Sequence, residues 1–459
     1  MRQALTDSRF RQLWVEVHSS LWFVPALLIT GMMLLALGLV EADQHVDGTL
    51  RKNWPRLFAI EAEGARSMLS TIAGSMATIA GVTFSITMVA LTLASAQYTS
   101  RVLRNFMRDR VNQSVLGIFV GIFLYCLLVL RAIREQQEPF VPACAVLGAL
   151  LLSVVAGAAF IYFIHHISST IQASDMAQAI ARETLHMVDK YFPNQAGDAS
   201  QQAVPPHLDA LRWHPVPTRQ WGTIQTVTEE RLVAWACAHD AVVRMEHKPG
   251  DFLGMDERLL SVAMDHAPDE DAIAELNGAF GIDAFRTLDQ DPAFGIRQLV
   301  DMALKALSPG INDSTTAVTC LEHIGVILVH CARRDLRPRH RYDDRGALRV
   351  LSLGLDFPHL VSLAFRQIAE SAHGNTEVML RALDMLYKTG IACASAAQLR
   401  AVREQAEVLG EIALDGARSR AAKEQLAGRL RLVRTLPAQP ATPAHDGQVL
   451  DVPGREGPA

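Results

Sequence analysis

A chain of 459 residues with a net charge of −5 is too long for one small domain, and it lacks the basic excess that phosphate-backbone binding requires, which argues against a nucleic-acid partner. The charge is unevenly placed: residues 1–174 carry +3 and hold long charge-free runs, whereas residues 175–459 carry −8 at the charge density of a soluble domain. Six scattered cysteines without a CxxC pair argue against a disulfide framework and read as reduced, mostly buried thiols.

The first apolar run, about 17–40, follows a short polar tail carrying Arg2, Arg9 and Arg11. It is longer than a signal-peptide core and has no small-residue cleavage pattern after it. It therefore reads as a retained span, with Trp14 and Trp22 placed for an interfacial belt. A mixed-charge connection leads to the second span, about 68–96. Around it, Ser67–Ser100 contains no Asp, Glu, Lys or Arg over 34 residues. As a helix that stretch would reach roughly 50 Å, against a hydrocarbon core of about 30 Å. Small and hydroxyl-bearing residues recur through it: Thr71, Thr78, Ser85 and Thr92 form one seven-residue series, Gly74 and Gly81 belong to another. A seven-residue repeat keeps one narrow stripe of a helix facing one direction. Arg101, Arg104 and Arg108 follow at helical spacing. They read as a positive-inside anchor, or as a basic vestibule where subunits meet.

The third span is about 111–130 and the fourth about 140–167, ending at His165-His166 and continuing as a helix to about Tyr191. Four spans put both termini on one side. The Lys/Arg balance of the loops places that side in the cytoplasm of a bacterial inner membrane. Residues 193–217, rich in Pro, Gln and Ala, read as a linker. A small α+β module, 218–267, has strands at Trp221–Thr228, Ala241–His247 and Leu259–Met264 and a helix at Glu229–His239. Its turns resemble those of lipoyl-type sandwich barrels, but no modifiable Lys stands at a hairpin tip, so no cofactor is implied. A helical domain fills 268–436, and the tail 437–459 reads as disordered. In that domain a helix is expected over Asp269–Gly278. Another starts at Pro292 with Asp291 as its N-cap and runs to about Leu307. A break follows at Ser308–Asp313, and a helix capped by Asp313 or Ser314 ends near Arg333. A charged loop is expected at Asp335–Arg345, then two or three further helices. The fold class is thus mainly α: a multi-pass membrane protein with four transmembrane helices, a cytoplasmic α+β module and a helical C-terminal domain.

The candidate sites each have a structural and a functional reading. The stripe of Thr71, Gly74, Thr78, Gly81, Ser85 and Thr92 is either a packing seam, through small-xxx-small contacts such as Ser70/Gly74/Thr78, or the lining of a polar path where copies meet. No mid-span carboxylate is present, which argues against a proton-coupled carrier. Asp291, Arg297, Asp301, Asn312 and Asp313 form the sharpest polar set. Arg297, Asp301 and Lys305 lie at i, i+4, i+8, a ladder on one helix face. The set reads as capping and pairing, or as a polar cytoplasmic corner that takes a small ligand. Cys320, His323, His330 and Cys331 share one helix and cannot by themselves close a tetrahedral metal site. No Walker loop, GxSxG, HExxH or dinucleotide fingerprint is present, so an enzyme is not expected.

Two stretches resemble a known family. Phe84-Ser-Ile-Thr-Met-Val-Ala-Leu-Thr-Leu-Ala-Ser-Ala-Gln-Tyr98 with Arg101–Asp109, and Asp291-Pro-Ala-Phe-Gly-Ile-Arg297-Gln-Leu-Val-Asp301 with Ala306-Leu-Ser-Pro-Gly-Ile-Asn312-Asp313, resemble the bacterial predicted membrane proteins grouped as domain of unknown function 2254. The family often has Pro where this chain has Ser100 and Ser314. The resemblance implies a multi-pass membrane protein and brings no activity. The residues themselves support two expectations. One is an oligomeric channel-like protein with the second span lining a path for ions or small polar ligands. The other is a non-conducting membrane scaffold or sensor whose cytoplasmic half binds a partner or ligand.

Overall fold

The computed structural model describes residues 22–45, 61–97, 109–134, 140–170, 172–192, 208, 211–336 and 340–437. The chain divides into two compact units, Met1–Asp175 and Met176–Ala459.

The first unit contains four apolar helices: α1 (Phe23–His45), α2 (Ala62–Gln97), α3 (Arg110–Ala132) and α4 (Ala143–Thr170). Each is long and apolar enough to cross a bilayer. The helices run longer than the charge-free stretches because flanking polar residues continue the hydrogen-bond ladder; α2 has 36 residues, about 54 Å of helix. The first span falls partly outside the described residues. The fourth does not run unbroken to Tyr191: α4 ends at Thr170, and a separate helix, α5 (Ala173–Tyr191), follows.

Helix α3 is the hub, contacting α1, α2 and α4. Its crossing with α1 is close because Gly117 and Gly121 lie one turn apart on the touching face. A Cβ at Gly117 would sit 2.8 Å from the Pro25 Cα, and one at Gly121 would sit 2.9 Å from the Met32 Cγ. This is the close backbone approach that small residues permit between membrane helices. Polar ties complete the bundle. Asp43 near the end of α1 accepts from the Cys144 and Ala145 amides at 3.1 Å each, capping α4. The buried Tyr125 of α3 donates its hydroxyl to the Ala145 carbonyl at 2.8 Å. Asp109 caps α3 through the Val111 amide and meets the His166 Nε2 of α4 at 2.5 Å.

The second unit begins in α5 and continues through β1 (Trp213–Pro217), β2 (Gly222–Val227), α6 (Glu229–Ala238), β3 (Val242–Met245), β4 (Phe252–Leu253), β5 (Arg258–Ala263), α7 (Glu270–Asn277), β6 (Phe280–Asp283), α8 (Pro292–Ala306), α9 (Ser314–Ala332), β7 (Arg341–Tyr342) and β8 (Leu348–Leu351). Four helices finish it: α10 (Phe357–Ser371), α11 (Thr376–Ala392), α12 (Ala396–Gly416) and α13 (Arg420–Arg434). One sheet has the order β1-β5-β3-β8-β7, the other β4-β2-β6. Four findings differ from the sequence reading, the first being that four helices rather than two or three close the unit. Trp213–Pro217, which composition reads as linker, is a strand: its two prolines are tolerated because β1 lies at the sheet edge. The stretch Asp335–Arg345 contains β7. Strand β8, from the helical stretch, pairs in parallel with β3 (Val243 opposite Val350), so one sheet joins the regions separated at residue 268. The sheets and α6 close over Val216, Ile224, Leu232, Val243, Leu259, Leu260 and Val350, all 0–1% exposed.

Helix α9 is a fifth apolar helix of sufficient length to cross a membrane. It packs between α8 and α11, with Cys320, Leu321, Ile324, Ile327, Leu328 and Cys331 fully buried. Its Glu322 pairs with Arg381 of α11 at 3.0 Å.

The α1–α3 crossing yields a paired prediction. Gly121→Val should cost about 1–3 kcal/mol, because overpacking a close contact forces the backbones apart. Gly81→Val, at a position with nothing within 4 Å of the added carbon, should stay within about 0.5 kcal/mol in the monomer. Thermal unfolding of detergent-solubilised monomer measures both; equal losses would refute the assignment of the tight crossing to α3.

Candidate functional site

Among the described residues of the first unit, the stripe on α2 lies on the side away from the helix bundle. On a wheel of 3.6 residues per turn, Ser67, Thr71, Gly74, Thr78, Gly81, Ser85 and Thr92 lie within about 40° of one line, and all seven are exposed. The buried side of α2 is the opposite one: Ala65, Leu69, Ala73, Met76, Ala80, Thr83 and Ala90 pack into the bundle. A Cβ at Gly74 or Gly81 would meet nothing within 4 Å. At the α1–α3 crossing the small residues that bring the helices together are instead Gly117 and Gly121, whose four-residue spacing is visible in the sequence.

The threonine hydroxyls of the stripe are satisfied locally. Thr71 donates to the Ser67 carbonyl at 2.8 Å, Thr78 to Gly74 at 2.9 Å and Thr92 to Met88 at 2.8 Å. Each side chain thereby hides its hydrogen on the helix and presents an oxygen and a methyl outward. Those three threonines enter a low-dielectric environment without an orphaned donor. Arg101, Arg104 and Arg108 lie outside the described residues.

The polar set in the second unit separates into two places. Asp291 stands at the start of α8, whereas Asn312 and Asp313 follow its far end, about 22 Å away along a helix of 15 residues. Asp291 caps α8 by accepting from the Phe294 amide at 3.3 Å, and it pairs with the Arg286 Nε at 2.5 Å. Burial raises its carboxyl pKa, with Arg286 and the cap amide acting in the opposite direction. Arg297 and Asp301 pair at 2.8 Å along α8, and Arg297 reaches Gln367 of α10 at 2.7 Å.

At the far end, Asn312 takes a left-handed conformation, φ 49°, one that Asn adopts more readily than most residues. Its neighbour Asp313 caps α9 by accepting from the Thr316 amide at 3.0 Å and the Thr316 hydroxyl at 2.5 Å. Ser314 accepts at 2.6 Å from Asn375, the N-cap of α11. The break Ser308–Asp313 therefore stops one helix and starts the next. His330, one of the four Cys and His residues sharing α9, meets Asp189 of α5 at 2.7 Å, and Arg334 pairs with the same carboxylate. Among the described residues no group of three or more His, Cys, Asp or Glu is placed to hold a metal ion. Arg286, the partner of Asp291, carries no sequence signal of its own: its role depends on a loop folding back on the cap.

The Thr316 hydroxyl and amide hold the Asp313 carboxyl below its ordinary value. A lowered folded-state pKa contributes stability in full above the unfolded value of about 3.9, and loses it as pH falls through the folded one. Asp313→Ala should cost about 1 kcal/mol at pH 7, the usual loss of an N-cap, and the gap should narrow steadily below about pH 4. Urea unfolding of the full chain across pH 3–7 measures it, and a gap independent of pH would refute the role.

Comparison with known proteins places these features. Residues 18–388 match the family described as Predicted membrane protein (DUF2254). Uncharacterized protein Rv1290c of Mycobacterium tuberculosis and Uncharacterized protein Mb1321c of Mycobacterium bovis are each 31% identical to this chain over 349 residues, covering 74% of it. The match spans 66% of the length of each of these curated relatives. No solved structure matches the chain.

Proposed function

The chain belongs to the DUF2254 family of predicted membrane proteins, and from that premise we propose that it works as an oligomer in the bacterial inner membrane, with α2 facing neighbouring subunits across a polar path. Helices α1 to α4 are the four spans. Helix α9 stays in the second unit, where α8 and α11 already cover it. The second unit is cytoplasmic and regulatory, in line with the Lys/Arg bias of the connecting loops.

The observation that carries the reading is the exposure of the stripe. From Ser67 to Thr92, where α2 carries no charge, it packs its Ala, Leu and Met face on its own bundle and leaves a line of Ser, Thr and Gly uncovered, flanked by exposed Val82, Phe84, Met88 and Val89. Lipid gains nothing from small polar residues on a stripe, whereas a neighbouring helix or water does. Because Thr71, Thr78 and Thr92 donate their hydrogens to their own helix, the path presents oxygen lone pairs. That lining suits water or a cation better than an anion. The same local bonding supports a second reading, a non-conducting scaffold or sensor, because hydroxyls satisfied within their helix also pack at a dry interface.

Cross-linking and flux separate these outcomes. With Cys144 and Cys237, the two native cysteines that are not buried, changed to serine, single cysteines at Thr71, Thr78 or Ser85 should give oxidant-dependent dimers in native membranes. Cysteines at Met76 or Ala80 should not. Failure of the stripe positions to cross-link would overturn the oligomer. Purified protein in liposomes should then pass cations, and Thr78→Phe should reduce that flux by about tenfold, on the order of a 1.4 kcal/mol rise in barrier. Cross-linking without flux would select the scaffold.

A further inference from the structure

The exposed aromatic side chains of the second unit gather in one place. Among its described residues, Trp221, Phe252 and Phe285 are the aromatic residues left exposed, at 60%, 62% and 57%. All three stand on the sheet β4-β2-β6 or at its ends, around Thr223. Phe252 is the cross-strand partner of Thr223. Trp221 lies two residues before it. Phe285 accepts at its carbonyl from the side-chain amide of Gln225, two residues after it, at 2.8 Å. Met255, 62% exposed, stands in the turn between β4 and β5. Ile224 and Leu253, the residues that alternate with Thr223 and Phe252, are buried in the core.

The backbone beneath the cluster is fixed. A Cβ at Gly222 would lie 2.6 Å from the Asp283 carbonyl oxygen, so β2 and β6 approach closely. The Gly254 amide donates to the Glu257 carboxylate at 2.7 Å, closing the turn that carries Met255. Burying an aromatic side chain is among the larger gains of folding, yet the unit leaves these outside.

Size, charge and attachment select what covers them. The four side chains together offer on the order of 400–500 Å². That matches the largest apolar patch of an ordinary monomer, which is often functional. It is well short of the roughly 800 Å² that each partner gives to a stable protein interface, so a second copy is a poor occupant. The exposed charges in the same segments nearly cancel: Arg219 and Arg258 stand against Asp256, Glu257 and Asp283. Attraction to an anionic polymer is therefore not the basis of docking, and apolar insertion is. Trp and Phe are the side chains that settle at headgroup depth of a bilayer. Helices α1 to α4 are each long and apolar enough to cross one, and α5, which leads into the second unit, starts three residues after α4 ends. Tethering keeps that bilayer at high effective concentration, so a modest area suffices.

We propose that this cluster docks the second unit on the surface of the bilayer that anchors the chain, with Trp221, Phe252, Met255 and Phe285 inserted among the headgroups. The inference does not depend on the polar path at α2, and neither fails with the other. The test places a nitroxide at Met255→Cys in the full chain, with Cys144 and Cys237 changed to serine, in phosphatidylcholine nanodiscs. Electron paramagnetic resonance then reads its collisions with oxygen, which concentrates in lipid, and with a nickel chelate confined to water. Oxygen collisions should dominate. In Trp221→Ser/Phe252→Ser/Phe285→Ser, whose changed side chains are all exposed and whose melting curve should match the parent, that dominance should be lost and nickel collisions should rise. A label open to nickel in the parent chain would overturn the docking. So would a label sheltered from both reagents, which selects a protein cover such as a second copy, or lipid contact that survives the triple substitution.

Discussion

The close crossing of α1 and α3 at Gly117 and Gly121 is the contact on which the membrane unit depends. Between apolar helices in lipid there is no hydrophobic driving force, so association rests on van der Waals contact and a few polar ties. Two glycines one turn apart bring the backbones near enough for that contact. With α3 fixed at the centre, Asp43 can cap α4, Tyr125 can reach the Ala145 carbonyl and Asp109 can meet His166. These ties close the bundle around α3 and commit one face of α2 to it.

That commitment gives the stripe its meaning. Two sets of small residues occur in neighbouring helices and have opposite fates. Gly117 and Gly121 are pressed against α1, whereas Gly74 and Gly81 meet nothing. Composition alone cannot separate the two, because both are small residues in a charge-free run. The difference lies in the rest of the wheel. Around Gly74 and Gly81 the neighbours on the same line are Thr and Ser, with exposed Val82, Met88 and Val89 beside them, while the residues that fill the bundle, Leu69, Ala73, Met76 and Ala80, lie opposite. A helix whose polar stripe and packing face are antipodal can be buried by its own chain on one side only.

Much of the fold was legible where the determining chemistry is local. Charge-free runs located α1 to α4, and the caps at Asp291 and Asp313 each accept an amide at the helix start, as their residue type suggests. What escaped is what depends on distant partners. Strand β8 is four residues long and acquires its identity by pairing with β3, about 100 residues earlier in the chain. Strand β1 was hidden by prolines that only an edge position tolerates. The polar set drawn from spacing was half right in kind: its members do cap and pair, but α8 separates Asp291 from Asn312 and Asp313 into two ends of one helix. For the stripe, periodicity gave the residues and the tertiary structure gave the direction they face.

The run Asp291-Pro-Ala-Phe-Gly-Ile-Arg297 shows how a motif can be dense in meaning without being a reaction centre. Asp291 caps the helix and pairs with Arg286. Pro292 occupies the first helical position, where its missing N–H costs nothing. The Phe294 ring lies 5.5 Å from the Arg286 guanidinium, within range of a cation–π contact. A Cβ at Gly295 would overlap the Thr184 side chain, so this glycine seats α5 against α8. Arg297 ties α8 to α10 through Gln367. Each of these residues is therefore accounted for by helix initiation or packing. One turn separates the residue that caps α8, Asp291, from the residue that seats α5, Gly295.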